Sequence, residues 1–202
     1  MNTQRTTMIT FSGVTFDYLH PIVDDIVWTD IAHALSLTCR FSGHTKSFYS
    51  VAQHSLNVIK KLEIQEQHAS NYKLLAYALL HDASEAYMCD IPRNLKALIY
   101  NSYCPIEKDI MNCILTKAGV FNLTFDERKI VEHVDDRILV SEANRLFDTK
   151  RCWMLDVEPY IDLDVSLKKF EDVEREFLRS VDFFTKNIFA QQLKEEGIDV
   201  GI

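Results

Sequence analysis

The run His81-Asp82-Ala83-Ser84-Glu85, followed by Asp90-Ile91-Pro92, sets an imidazole beside a carboxylate and adds two further acids within ten residues. Imidazole nitrogens and carboxylate oxygens are ligands for divalent metal ions. The residues before them, Tyr72-Lys73-Leu74-Leu75-Ala76-Tyr77-Ala78-Leu79-Leu80, are good helix formers and so apolar that their helix must run through the protein interior. An ionised carboxylate delivered there costs on the order of several kcal/mol, which only a cation or a full set of hydrogen bonds offsets. Glu85 lies four residues past His81 and three past Asp82, so on a continuing helix it overhangs the same face one turn later, above any metal-bound water.

Two other segments can bring ligands to that pair. A helix from about Ser50 to Leu62 carries Val51, His54, Val58 and Leu62 on one stripe. Thr124-Phe125-Asp126-Glu127 has the pattern of a capping box and opens a long helix with Val131, Val134, Asp135, Ile138, Leu139 and Leu146. His54, His81, Asp82 and one carboxylate from Val134-Asp135-Asp136 therefore form a candidate set drawn from three helices, the usual way for a helical protein to build an interior metal site. Asp135 borders the stripe of Val131, Val134 and Ile138 and is the favoured ligand, with Asp136 a supporting or surface acid. Two imidazoles and two carboxylates suit Mn²⁺, Co²⁺, Fe²⁺ or Zn²⁺, with Mg²⁺ as a possible companion, better than Ca²⁺ or a thiolate-bound zinc.

The bulk composition narrows the class. A chain of 202 residues with 47% hydrophobic content fits one domain with a sizeable core, residues 1–202, with the metal-site core at about 25–150. Apolar runs fall short of a membrane span and the first seven residues lack an apolar signal core, so a soluble cytoplasmic protein is expected, in a bacterial cell or a phage-infected host. Five scattered cysteines without a CxxC spacing suit a reducing compartment, and Cys89 is expected to be a small buried filler. With 22 basic against 30 acidic residues the net charge is −8, so no stable nucleic-acid complex is expected and an anionic substrate must be met by a local basic cluster.

Along the chain, residues 8–18 alternate around Ser12-Gly13 and predict a small N-terminal β-hairpin; everything after it reads as helix. Asp24-Asp25 and Thr29-Asp30 open one or two helices, Arg40–His44 is a loop, and a further helix spans about Pro105 to Ala118 before Gly119. After a loop containing Trp153 and Pro159, an amphipathic helix covers about 164–194, with Phe177, Leu178, Phe183, Phe184 and Phe189 as core or subunit-contact residues. Its continued apolar stripe makes a homo-oligomer the expectation. His20, His68 and His133 are assigned no chemistry, and His33 is read as a satisfied, half-buried histidine. The fold class is all-α, a helical bundle with a small N-terminal hairpin.

His54, the pair His81-Asp82 and the later Asp135 resemble the H…HD…D signature of the HD-domain phosphohydrolase superfamily, over roughly residues 25–150. The segment His81 to Arg93 is more similar still to the branch holding bacterial deoxyribonucleoside 5′-monophosphatases and phage dATP triphosphohydrolases. That resemblance implies an HD-domain bundle, the four named residues as metal ligands, and Glu85 and Asp90 as the acids that position or protonate around the attacked phosphate. It also implies that Arg40-Phe41 stands where the 5′-nucleotidases carry an Arg-Trp pair touching sugar and phosphate. Phe41 replaces the indole, and the added His44 and Lys46 bring more positive charge than one phosphate needs, which favours a triphosphate. Arg93 and Lys96 are either an ordinary helix start or further phosphate contacts.

The function expected is metal-dependent hydrolysis of the 5′-phosphate ester of a deoxynucleotide, first a dNTP triphosphohydrolase acting on dATP, then a deoxynucleoside 5′-monophosphatase. Nothing in the chain selects alarmone hydrolysis. A non-catalytic nucleotide-binding module of the same fold is the competing reading, though a binding scaffold gains little from burying so many ionisable groups.

Overall fold

The computed structural model describes residues 6–64, 68–148 and 155–197. Strands β1 (Thr7–Ile9) and β2 (Thr15–Asp17) pair antiparallel with Met8 opposite Phe16, as the alternating pattern predicts. Gly13 turns the chain at φ 89°, donating its N–H to the Thr10 carbonyl at 3.0 Å. The hairpin tip is tied down at once: the Ser12 N–H and hydroxyl donate to the two oxygens of Asp30, at 2.7 and 2.8 Å.

Helices make up the rest of the regular structure. They are α1 (Trp28–Leu37), α2 (Val51–Ile64), α3 (Tyr72–Leu80), α4 (Glu85–Met88), α5 (Arg93–Leu98), α6 (Tyr100–Lys117), α7 (Phe125–Leu146) and α8 (Phe170–Glu195), with short 3₁₀ turns at Val23–Asp25 and Arg40–Gly43. The chain is thus an all-α bundle carrying one small hairpin. Asn71 caps α3 by accepting the Leu74 N–H at 3.1 Å, and Thr124 and Glu127 close the expected capping box on α7. No helix among the described residues is long and apolar enough to cross a membrane.

Helix α2 occupies the centre. Residues Val51 to Ile59 are all buried, so the single stripe read from sequence understates how fully it is enclosed by α1, α3, α7 and α8. Helix α8 lies across α1 and α3 and turns Val173, Phe177, Val181, Phe184 and Ile188 inward, at the four- and three-residue spacing of one helical face. Phe183 and Phe189 remain exposed.

Several expectations are corrected. The last helix begins at Phe170 rather than near 164, because carbonyls of the segment before it are taken by side chains of α2: Asn57 Nδ2 donates to the Asp164 carbonyl at 2.9 Å and Gln53 Nε2 to the Ser166 carbonyl at 3.0 Å. Helix α6 starts at Tyr100 and includes Pro105 instead of beginning there. Cys89 is exposed, not a buried filler, since its backbone sits at φ 65°, ψ 160° and swings the residue out as α4 ends. His33 is half-buried and satisfied as expected, stacked on Phe11 and 3.2 Å from Glu174. Trp153 and Cys152 lie outside the described residues.

The facing of α8 is testable. Phe177→Ala should lower the unfolding free energy by about 3–5 kcal/mol, whereas Phe189→Ala should change it by less than about 0.5 kcal/mol. Urea denaturation measures both, and equal effects would contradict this packing.

Candidate metal centre

His54, His81 and Asp135 converge from α2, the end of α3 and α7 into a group whose ligand atoms all lie within 4.8 Å of one another. His54 Nε2 stands 3.4 Å from His81 Nε2 and 3.1 Å from Asp135 Oδ1; His81 Nε2 is 3.9 Å from the same oxygen. Asp82 Oδ2 adds a fourth acceptor, 3.3 Å from His81 Nε2 and 3.8 Å from His54 Nε2. It stands outside the compact group of three, and the same oxygen accepts from Arg40 Nη1 at 3.3 Å.

The histidines are aimed by what their other nitrogens do. His81 Nδ1 lies 2.7 Å from the Ala78 carbonyl, which can only accept, so Nδ1 carries the proton and donates. His54 Nδ1 lies 2.7 Å from Glu142 Oε1, inside a wholly buried pair. In the neutral rings both Nε2 lone pairs then face each other and two carboxylate oxygens. Four acceptors at such distances repel unless protons or a cation stand between them. Ligand atoms about 2.0–2.2 Å from one ion lie roughly 3–4 Å apart, so the separations fit a divalent ion, and a His-His-Asp group of this kind could hold one.

The same demand for positive charge appears in the titration of the side chains. Burial lowers the His81 pKa, but the Asp82 carboxylate beside it, with Asp135, more than reverses this and brings it up to about 9. Burial also opposes the charge on Asp82 and Asp135, yet the neighbouring imidazoles hold both carboxyls below the usual range.

The pair His81-Asp82 does not lie within a continuous helix. Helix α3 ends at Leu80, and residues 81–84 wind tighter, with the Ala83 N–H bonded to Leu80 and the Glu85 N–H to Asp82, before α4 begins at Glu85. In this winding residues three apart eclipse, and the Asp82 carboxylate is among the charges that act on Glu85. Glu85 is buried, Oε1 accepts from Lys96 at 3.2 Å, and Oε2 has no hydrogen-bond partner. Burial, then the nearby Asp82 and Asp90 carboxylates, raises its carboxyl well above the usual range. The hairpin backs this segment, for Phe16 stacks on Tyr87 at 4.0 Å and the Tyr18 hydroxyl donates to the Tyr87 carbonyl at 2.9 Å.

The basic residues divide into two groups. Arg40 is buried and reaches the centre, with Nε on Glu142 Oε2 at 3.1 Å and Nη1 on Asp82. Arg93 grips Asp135 Oδ2 at 2.8 Å and Asp136 Oδ1 at 2.7 Å, and Lys96 bridges Glu85 to Glu107 at 3.0 Å. His44 and Lys46 are not drawn in: His44 is exposed, and Lys46 turns toward Asp148, at 3.8 Å, beyond the C-terminal end of α7. Phe41 packs edge-on against Phe147 at 5.3 Å, and its N–H donates to Asp90 Oδ2 at 3.1 Å, so the contact Asp90 makes is to the Arg40 turn. Phe41 and Ser42 hold left-handed backbone at φ 55° and 51°, a strain that this bond helps maintain.

Sequence reading overlooked Glu142. Its signal is spacing, for it follows Asp135 by seven residues, two turns along the same face, within the buried run Val140-Ser141-Glu142-Ala143.

No protein-family model matches the chain. It is similar to the uncharacterized protein YfdR of Escherichia coli (strain K12), 45% identical over 111 residues, which cover 55% of this chain and 57% of that protein. It is also similar to an uncharacterized protein of Rhodobacter capsulatus, 32% identical over 111 residues, 54% of this chain and 56% of that one. The chain thus spans little more than half the length of the curated relatives it matches.

The raised pKa of His81 has a definite sign. Its stabilising contribution is complete below the ordinary value of 6.5 and is lost as pH rises through about 9. Metal-free protein should therefore melt at progressively lower temperature across that window, and saturating Mn²⁺ should remove the trend by replacing the proton. Thermal melts followed by circular dichroism at several pH values check both; a metal-free profile that is flat there would count against an imidazolium at His81.

Proposed function

We propose that the chain is a metal-dependent phosphohydrolase of the HD type that cleaves the 5′-phosphate ester of deoxynucleotides, with deoxynucleoside triphosphates, dATP first, as substrates. The observation that carries this reading is the convergence of His54, His81, Asp135 and Asp82, bordered by the cations Arg40, Arg93 and Lys96. His54, His81, Asp135 and Asp82 would hold the ion, which when bound acidifies water and polarises a phosphoryl oxygen.

The remaining work falls to the protein's own side chains. Arg40, keeping Glu142 but releasing Asp82, and Arg93 and Lys96, releasing their carboxylates, turn N–H donors to phosphate oxygens. Glu85, whose carboxyl burial and two neighbouring acids keep protonated to higher pH, holds a proton on its otherwise unpartnered oxygen and gives it to the departing 5′ oxygen. Asp90 keeps the Arg40–Phe41 turn in place, and Phe41 walls the sugar or stacks on the base. The chemistry requires several cations around one cluster of acids, which suits a polyphosphate.

One observation favours a 5′-monophosphatase instead. Lys46, counted in the sequence as surplus charge for a triphosphate, faces Asp148 and half its side chain is exposed. The two reactions leave the same nucleoside and differ in the other product.

Metal-reconstituted protein incubated with all dNTPs, NTPs and their monophosphates should release triphosphate from dATP; orthophosphate from dAMP would select the second reading. Glu85→Ala should leave metal bound and cut turnover by roughly two to four decades. Bound metal and nucleotide without turnover of any of these compounds would replace both readings with a binding module.

A further inference from the structure

We infer that Glu142 is a positioning residue that couples the cation-binding and anion-binding halves of the site, an inference that rests on the metal-centre reading above. This carboxylate has no exposed surface and its two oxygens are divided between two partners. Oε1 accepts the Nδ1–H of His54 at 2.7 Å and Oε2 accepts the Nε–H of Arg40 at 3.1 Å. Each oxygen is thus held by a separate partner, one from the turn at Arg40 and one from α2. An arginine held in the ordinary two-pronged way would occupy both oxygens. Here one oxygen serves the arginine and the other an imidazole that faces the metal group.

Two consequences follow from that division. The bond to Nδ1 sets the tautomer and ring angle of His54, so Nε2 is aimed at His81 and Asp135. The bond to Nε sets the guanidinium of Arg40, whose other polar contact is Nη1 on Asp82 Oδ2. A cation taking that oxygen would leave Glu142 as the bond that keeps Arg40 at the site with its outer N–H groups turned to an anion. A substitution at Glu142 therefore disturbs both functions together, although the residue touches neither ligand.

The test uses the full chain, with Mn²⁺ alone and then inorganic phosphate as probes, each followed by calorimetric titration at a temperature where circular dichroism shows the variants folded. His54→Ala should abolish stoichiometric Mn²⁺ binding, which checks the underlying reading. Glu142→Gln, of equal size, should weaken Mn²⁺ binding by about 10–100-fold, the usual effect of losing a ligand's supporting partner, and phosphate binding to the Mn²⁺-saturated protein by a comparable factor. If wild-type protein binds no Mn²⁺ stoichiometrically, the metal-centre reading fails and takes the inference with it. If wild type binds and His54→Ala does not, while Glu142→Gln keeps either affinity at the wild-type level, the reading stands and the coupling is overturned. Should Glu142→Gln fail to fold, Glu142→Asp keeps the charge but is too short to span both partners. Joint loss of the two affinities then supports the coupling, and any other outcome overturns it.

Discussion

Acceptor atoms meeting without donors of their own are the constraint on which this structure turns. His54 Nε2 and His81 Nε2 stand 3.4 Å apart, and Asp135 Oδ1 and Asp82 Oδ2 each lie 3.1–3.9 Å from both of them, around a His54 ring that is fully buried. Hydrophobic packing sets α2, α3 and α7 at these distances, and nothing in that packing cancels the repulsion. Compensation has to be positive charge, as protons, as a metal ion or as basic side chains. The fold places all three nearby basic residues, Arg40, Arg93 and Lys96, against the acids of this region. A buried arrangement of this kind does little for stability compared with an apolar core of equal volume.

The surroundings hold that cluster by means that themselves cost stability. Phe41, Ser42 and Cys89 all carry positive φ without being glycine, each at about 1–3 kcal/mol. The first two begin the turn after Arg40, Cys89 immediately precedes Asp90, and one hydrogen bond, Phe41 N–H to Asp90, joins the two strained segments. The hairpin supplies the opposing support: Phe16 is fully buried against Tyr87, and Ser12 is bound to Asp30 at the start of α1. An element of two three-residue strands thus serves to press the segment after His81-Asp82 into position.

What could be read beforehand follows from which signals are local. Apolar periodicity identified α2, α3 and α7 as buried elements, Thr124 and Glu127 marked where α7 begins, and the border position of Asp135 chose it over Asp136, which meets Arg93 but not the histidines. Features set by distant partners were not legible. The late start of α8 depends on Asn57 and Gln53, more than a hundred residues upstream. The break after Leu80 has no proline or glycine to announce it, so the interruption between α3 and α4 was not foreseen. The run Arg40 to Lys46 reads as one basic cluster, yet its left-handed turn sends Arg40 inward and leaves His44 and Lys46 outside. Glu142 was hidden because a lone acid in a helix looks solvated until its partners, 88 and 102 residues away, are known.

The arrangement also bears on how a cation and an anion would share the site under the proposed reading. Each basic residue faces two carboxylates: Arg40 has Glu142 and Asp82, Arg93 has Asp135 and Asp136, Lys96 has Glu85 and Glu107. Two of those carboxylates, Asp82 and Asp135, are the ones a metal ion would claim. An ion drawing negative charge from them weakens their hold on Arg40 and Arg93 and frees donor capacity for phosphate. By linkage the effect must run both ways, so a phosphate engaging these cations releases Asp82 and Asp135 to the metal and tightens its binding. The cations that neutralise the acids without ligands are then the same groups that recognise the anion when the metal is present.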